Sequence, residues 1–351
     1  MKNLLPATGF LSVIAQWFSA NILALGREMR LSYLPPLMVY VAAGISGLTG
    51  IVGTFYVKEK LGLSAEFLAM LGFWMMLPWA LKMPMGHLVD LIWRWKGLLV
   101  YLGASLIMLS LLIMIGLLGH TEAMIAIASV ETWYVTSALL APIGYVLQDV
   151  VADAMTVEAV PRVDENGNKL DLEKRKLMHV TMQTLGRVAI IGGGVLVSVA
   201  NVFLLRDAGA LPEAEKEAVY LLVYELALII PLISILGVVF ASWLQRRERK
   251  RFLAQGHSRQ EVDKLLSVHS ESPPVNWWIL GGGLAFTIIS LSVGLSRIPA
   301  GEEIIFVISL TIILFLMWRL TGELEPEARN VLVGTAVMIF IFRAISGPGA
   351  G

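Results

Sequence analysis

The chain has 351 residues, 57% of them hydrophobic and 15% charged, with a formal net charge of zero. Soluble chains carry about 25% charged residues, so polar surface here is too scarce to coat a water-soluble body. Zero net charge removes the electrostatic footprint of a nucleic-acid binder, and the absence of cysteine removes disulfides, iron–sulfur clusters and thiolate zinc sites.

In residues 1–33, Phe10, Leu11, Ile14, Trp17, Phe18 and Ile22 recur at near-helical spacing, flanked by Lys2, Arg27 and Arg30. This pattern predicts an interfacial helix on the cytoplasmic side; a solvated leader is the plainer alternative. No cleavable signal peptide is expected, because the first strong apolar run, Leu34 to Val57, begins late and lacks a small-residue cleavage site.

A spanning helix needs about 20 apolar residues. The runs that qualify are about 34–57, 65–88, 98–118, 131–157, 180–204, 219–243, 276–296, 303–319 and 330–346, with Pro142 interrupting the fourth. The basic loops alternate. Arg94 and Lys96, then Arg162, Lys169, Lys174, Arg175 and Lys176, then Arg246, Arg247, Arg249, Lys250, Arg251, Arg259 and Lys264 fall on one side. The other side holds Lys58, Lys60, Arg206, Lys216 and Arg297. The bias predicts an inner-membrane, multi-pass protein with its N-terminus in the cytoplasm.

Four parts follow. Residues 1–33 precede a six-helix bundle at 34–243, a basic cytoplasmic linker at 244–275, and three helices in 276–351. The layout resembles the major facilitator superfamily, whose transporters carry two six-helix halves. The expected fold is an all-α membrane bundle of that type, with its second half incomplete and the sequence a piece of a longer chain; a complete nine-helix protein is the alternative.

After the second span, Gly86, Leu88, Asp90 and Arg94 match the G-x-L-x-D-x-x-x-R core of the superfamily's loop between helices two and three, with Trp93 in place of its usual glycine. Gly86 is expected to permit close helix packing. Asp90 and Arg94 are expected to pair as a conformational latch, an ordinary surface pair being the alternative. Three further segments point to a narrower group. Pro78-Trp79 with Lys82, Pro84, Gly86 and Asp90, the run Asp149-Val150-Val151-Ala152-Asp153-Ala154 followed by Glu158, and Phe340-Ile341-Phe342-Arg343 followed by Ser346, Pro348 and Gly349 lie in the order of the folate–biopterin transporter family. That resemblance implies twelve or more helices and proton-coupled transport of folates or pterins.

Ionisable residues inside a span are costly unless paired or lining a cavity. Asp149 and Asp153 stand one helical turn apart and share a face. They are read as lining the central cavity, one ionised and structural, the other carrying the coupling proton. A salt bridge to Arg187 is the structural alternative. Glu158 is read as a loop or gate residue. Gln183 and Arg187 form another same-face pair, Arg343 stands alone in the last span, and Lys82 is either a site residue or a snorkelling end residue. Glu225 has Tyr220 and Tyr224 beside it. For a pterin, a carboxylate would accept two neighbouring N–H groups, Trp79, Tyr134 and Tyr145 would stack the ring, and Arg187, Arg343 or Lys82 would meet a folate's glutamate tail.

The runs Gly192-Gly193-Gly194 and Gly281-Gly282-Gly283 lack the Gly-Lys-Ser/Thr of a phosphate loop and are read as helix packing sites. The histidines are scattered without metal-ligand spacing, and no nucleophile–base constellation is present. No metal, cofactor or enzymatic activity is therefore expected. The expected partners are a small solute, protons and the lipid bilayer. The rival readings are a facilitator-fold transporter of another solute, or a non-transporting membrane assembly protein.

Overall fold

The computed structural model describes residues 26, 28–56, 64–164, 167–266, 274–296, 298–322 and 324–345, without the side chains of residues 55, 56, 65, 302 and 343–345. The interfacial helix predicted within the first 25 residues, and Lys58, Lys60 and Arg297 of the loop analysis, lie outside the described residues.

The regular structure among the described residues is helical, apart from one isolated bridge between Val163 and Lys169. Among the described residues, eight segments are long and apolar enough to cross a membrane: Leu31–Thr54, Glu66–Leu91, Trp93–Gly119, Val130–Ala159, Leu172–Ala210, Glu213–Ala254, Trp277–Leu295 and Glu303–Thr321. The chain is thus an all-α, multi-pass membrane helix bundle. In chain order the helices are α1 (Leu34–Gly44), α2 (Gly50–Tyr56), α3 (Ala65–Ala80), α4 (Lys82–Leu91), α5 (Lys96–Gly119), α6 (Thr121–Ile125), α7 (Val130–Ala159), α8 (Leu172–Leu205), α9 (Glu213–Ala227), α10 (Ile229–Ala254), α11 (Arg259–Leu266), α12 (Trp277–Leu295), α13 (Gly301–Thr321) and α14 (Pro326–Ile345). The ninth predicted span, 330–346, corresponds to α14, whose end reaches beyond the fully described residues and which is not among the eight.

Proline shapes two of the spans, because it lacks the N–H that would bond the carbonyl four residues earlier. Pro84 breaks the second span at Leu81, between α3 and α4, and Pro231 breaks the sixth at Leu228, between α9 and α10. Pro142 in contrast is accommodated inside a continuous α7.

The chain divides into two compact units, Met1–Pro273 and Pro274–Gly351. In the second, α12 packs against α13, with Gly282 meeting the Leu316 side chain and Trp278 edge-on to Phe315. In the first, two apolar clusters fill the bundle. One gathers Tyr40, Val89, Val100, Val146, Val150 and Met182; the other gathers Val52, Ile107, Leu117, Val223 and Ile230. Within this unit, spans three, four and six are the most buried, and spans two and five the least.

Glycine permits two close helix crossings. At the α5–α7 crossing a Cβ on either Gly103 or Gly144 would fall 2.6 Å from the other's carbonyl oxygen. At the α1–α8 crossing a Cβ on Gly193 would fall 2.8 Å from the Gly44 backbone. Gly193 and Gly282 thus match the packing role expected of the glycine runs, whereas Gly192, Gly194 and Gly281 face open space.

The basic stretch after residue 243 is not a free linker. Its Arg, Gln, Glu and Lys residues are good helix formers, and α10 continues through them to Ala254. It stops where Gly256 takes a φ of +92° that favours glycine. A reciprocal cap then starts α11: the Glu261 N–H donates to Ser258 Oγ at 3.2 Å, and the Ser258 N–H donates to Glu261 Oε2 at 2.7 Å. Val262 folds back onto Phe252 and Val163, so the loop after α7 and the segment after α10 share one end of the bundle.

Candidate functional site

The break at Leu81 makes Lys82 the first residue of α4, inside a span rather than at its end. Its ammonium reaches α7, where Nζ lies 2.5 Å from Asp149 Oδ2 and 2.9 Å from Asp153 Oδ2. The i,i+4 spacing of the aspartates brings both carboxylates to one cation. Tyr40 of α1 completes the cluster by donating its hydroxyl to Asp153 Oδ1 at 2.6 Å. The Tyr40 ring is seated on Gly186 of α8, where a Cβ would come within 2.8 Å of it.

The carboxylates differ in surroundings: the Asp149 side chain is 11% exposed and that of Asp153 46%, beside a Lys82 side chain at 42%. Glu158, at the end of the same helix, is nine residues from Asp149, about 13 Å at the helical rise. Lys82 is equally far from Leu91 at the end of α4. Both therefore lie well inside apolar segments long enough to cross a membrane.

The cation that the carboxylates share is Lys82, which corrects the structural alternative in which Arg187 held them. Arg187 is exposed on α8 and within electrostatic range of Asp149 and Tyr40. No hydrogen bond or ion pair joins it to either carboxylate among the described residues. Its neighbour Gln183 donates to Thr156 Oγ1 at 3.3 Å, and Thr156 Oγ1 donates to the Asp153 carbonyl at 2.7 Å. Of the aromatics considered for stacking, Trp79 is exposed one turn before Lys82, while Tyr134 and Tyr145 pack on the second apolar cluster, away from Tyr40. Tyr220 and Tyr224 are buried, whereas Glu225 is exposed. The side chain of Arg343 lies outside the described residues.

The Asp90–Arg94 pair expected of a latch is not formed among the described residues. A Cβ at Gly86 would meet no atom within 4 Å, so no close packing among the described residues depends on it. Asp90 is half-buried and Arg94 exposed, and no ion pair joins them among the described residues. Instead Lys96, at the start of α5, pairs with Glu158 of α7 at 2.7 Å. The Gln245 amide of α10 donates to Glu158 Oε2 at 3.3 Å, and the Lys96 ammonium lies 4.2 Å from the centre of the Trp93 ring. Glu158 and Gln245 also line a small cavity of about 60 Å³, together with Ser32, Pro36, Met155 and Glu248 among others.

The Lys96–Glu158 pair is 13% and 17% exposed, whereas Lys176–Glu173 is 63% and 74% exposed. Lys96→Met is therefore expected to cost about 3 kcal/mol, as for a pair withdrawn from water. Lys176→Met is expected to cost at most about 1 kcal/mol. Thermal melts of the two purified variants check this; equal melting temperatures would make the buried pair no more than a surface contact.

Tyr40 was missed by sequence reasoning, since one tyrosine in an apolar run carries no local signal. Lys96 was counted only as a topology charge, and its pairing with Glu158 depends on tertiary contact. Comparison of the chain with protein-family models, curated proteins and solved structures finds no match.

Proposed function

We propose that this chain is a secondary transporter whose solute and proton site is the cluster of Tyr40, Lys82, Asp149 and Asp153. The observation that supports this most is the pair of carboxylates bridged by one half-exposed lysine, inside apolar spans and beside the helix break at Leu81. A purely structural ion pair is satisfied by one carboxylate and gains nothing from exposure. Ionisable groups inside a span mark solute and proton pathways, and interrupted helices recur at transporter sites.

The solute class is the one implied by the resemblance, a folate or pterin. Two adjacent N–H donors on a pterin edge would take the place of the Lys82 ammonium on the Asp153 carboxylate alone. Proton coupling follows if the more exposed Asp153 exchanges a proton while Asp149 keeps the lysine. Alternating access moves this site between the two sides of an inner membrane, with the N-terminus cytoplasmic. No catalytic chemistry is assigned to it. The test is uptake of labelled folate and biopterin into proteoliposomes with and without a pH gradient. Accumulation only with the gradient is expected; no uptake of either compound under any gradient would reject the reading.

Orientation has its own test, made simple by a chain without cysteine. Cysteines placed at Lys174 and Arg247 are expected to react with a membrane-impermeant maleimide from the cytoplasmic side, and one at Lys216 from the opposite side. Labelling at 216 from the cytoplasmic side would reverse the assignment.

A further inference from the structure

One face of α10 runs without interruption from apolar side chains to cations. Leu232, Leu236, Val239, Trp243, Arg246 and Lys250 follow one another at spacings of four, three, four, three and four residues, so they share a face of the helix. Arg247, one turn after Trp243, borders the same face. The opposite side of α10, with Ser234, Gly237, Val238 and Phe252, is buried. The stripe itself is open. Leu232, Leu236, Val239 and Trp243 are 48–56% exposed, and Arg246, Arg247 and Lys250 are exposed beyond them.

An aromatic stack marks the junction. The Phe240 and Trp243 rings lie with centroids 5.6 Å apart and planes 15° apart. The Arg247 guanidinium lies 5.5 Å from the centre of the Trp243 ring. The stack holds the cation where the apolar stripe ends, and tryptophan is the residue that favours such a boundary. The three cations keep their N–H groups free for a ligand: among the described residues no carboxylate pairs with Arg246, Arg247 or Lys250. The arginines of α10 that do meet carboxylates lie to either side of this face, Arg249 with Asp263 at 2.7 Å and Arg251 with Glu248 at 4.0 Å.

We infer that this face of α10 binds an anionic phospholipid, its headgroup phosphate held by Arg246, Arg247 and Lys250 and its acyl chains laid along Leu236 and Val239. A free anion would meet the cations alone; a lipid meets the whole stripe. Arginine supplies planar paired donors suited to phosphate oxygens, and clusters of Lys and Arg just beyond a span attract anionic lipid. The site shares no residue with the Lys82 cluster, and its occupancy does not depend on what the protein transports.

The test is native mass spectrometry of the purified, delipidated full chain in detergent, titrated with dioctanoyl phosphatidylglycerol, with dioctanoyl phosphatidylcholine as neutral control and inorganic phosphate as competitor. Saturable retention of phosphatidylglycerol over phosphatidylcholine is expected. At about 1 kcal/mol per basic residue, Arg247→Gln should weaken it about five-fold, and Arg246→Gln, Arg247→Gln and Lys250→Gln combined about a hundred-fold. Trp243→Ala keeps every charge but loses the stack, and should weaken retention about two- to five-fold. Lys174→Gln, which removes an exposed charge from α8 instead, should leave it unchanged. All these positions are exposed, so the variants are expected to fold, as their thermal melts will check. Undiminished retention in the triple variant would overturn the inference, as would weakening by Lys174→Gln equal to that by Arg247→Gln. So would displacement by equimolar inorganic phosphate, which would make this a site for the free anion.

Discussion

Asp149→Asn is expected to destabilise the protein by about 3 kcal/mol, and Asp153→Asn by less than about 1 kcal/mol. The two aspartates touch the same ammonium, so the difference arises from their surroundings. Asp149 is largely withdrawn from solvent and lies 2.5 Å from Lys82 Nζ, whereas Asp153 is half-exposed and keeps the Tyr40 hydroxyl. Replacing Asp149 leaves Lys82 with its more exposed partner alone; replacing Asp153 leaves the closer pair intact. Thermal melts of the purified variants, followed by tryptophan fluorescence from the chain's 10 tryptophans, measure this. Equal melting temperatures would mean that both carboxylates are solvated and that the division of labour proposed for them is wrong.

A larger effect is expected at the α5–α7 crossing. In Gly144→Val, the first added carbon falls 2.6 Å from the Gly103 carbonyl and 2.7 Å from Ile107 Cγ1. The carbonyl belongs to a helix backbone and cannot rotate away, so the helices must separate along the most extensive contact in the bundle. Overpacking a core costs about 1–3 kcal/mol when side chains can adjust, and this site is expected to reach or exceed the top of that range. Gly192→Val is the control, since nothing lies within 4 Å of a Cβ there, and a change of at most about 0.5 kcal/mol is expected. Folded yield by size-exclusion chromatography and the melting temperature read both. A normal yield of Gly144→Val with an unchanged melt would contradict the close crossing.

Most of the architecture was legible because apolar runs long enough to span a bilayer are long-range signals that tertiary structure does not rewrite. The ends were harder. At 213–219 and 243–254 the helices extend beyond the apolar run, since Arg, Glu and Lys support a helix in water as well as Leu does in lipid. The site was half legible. Asp149 and Asp153 declare themselves by spacing, but which cation a carboxylate chooses depends on the approach of two helices. Arg187 and Lys82 were equivalent in sequence; the proline break turned the choice towards Lys82. The latch shows the reverse case. A local pattern, Gly86 with Asp90 and Arg94, suggested a pair within one loop, whereas the buried pair joins Lys96 to Glu158 across 62 positions.

The measurement that bears most directly on the central claim compares accumulation with exchange in proteoliposomes for the unaltered protein and Asp153→Asn. With labelled biopterin and an imposed pH gradient, the unaltered protein is predicted to accumulate label above equilibrium, while Asp153→Asn exchanges internal for external solute without accumulating it. Gradient-driven accumulation by Asp153→Asn equal to that of the unaltered protein would contradict the assignment of the Lys82 cluster as the coupling site.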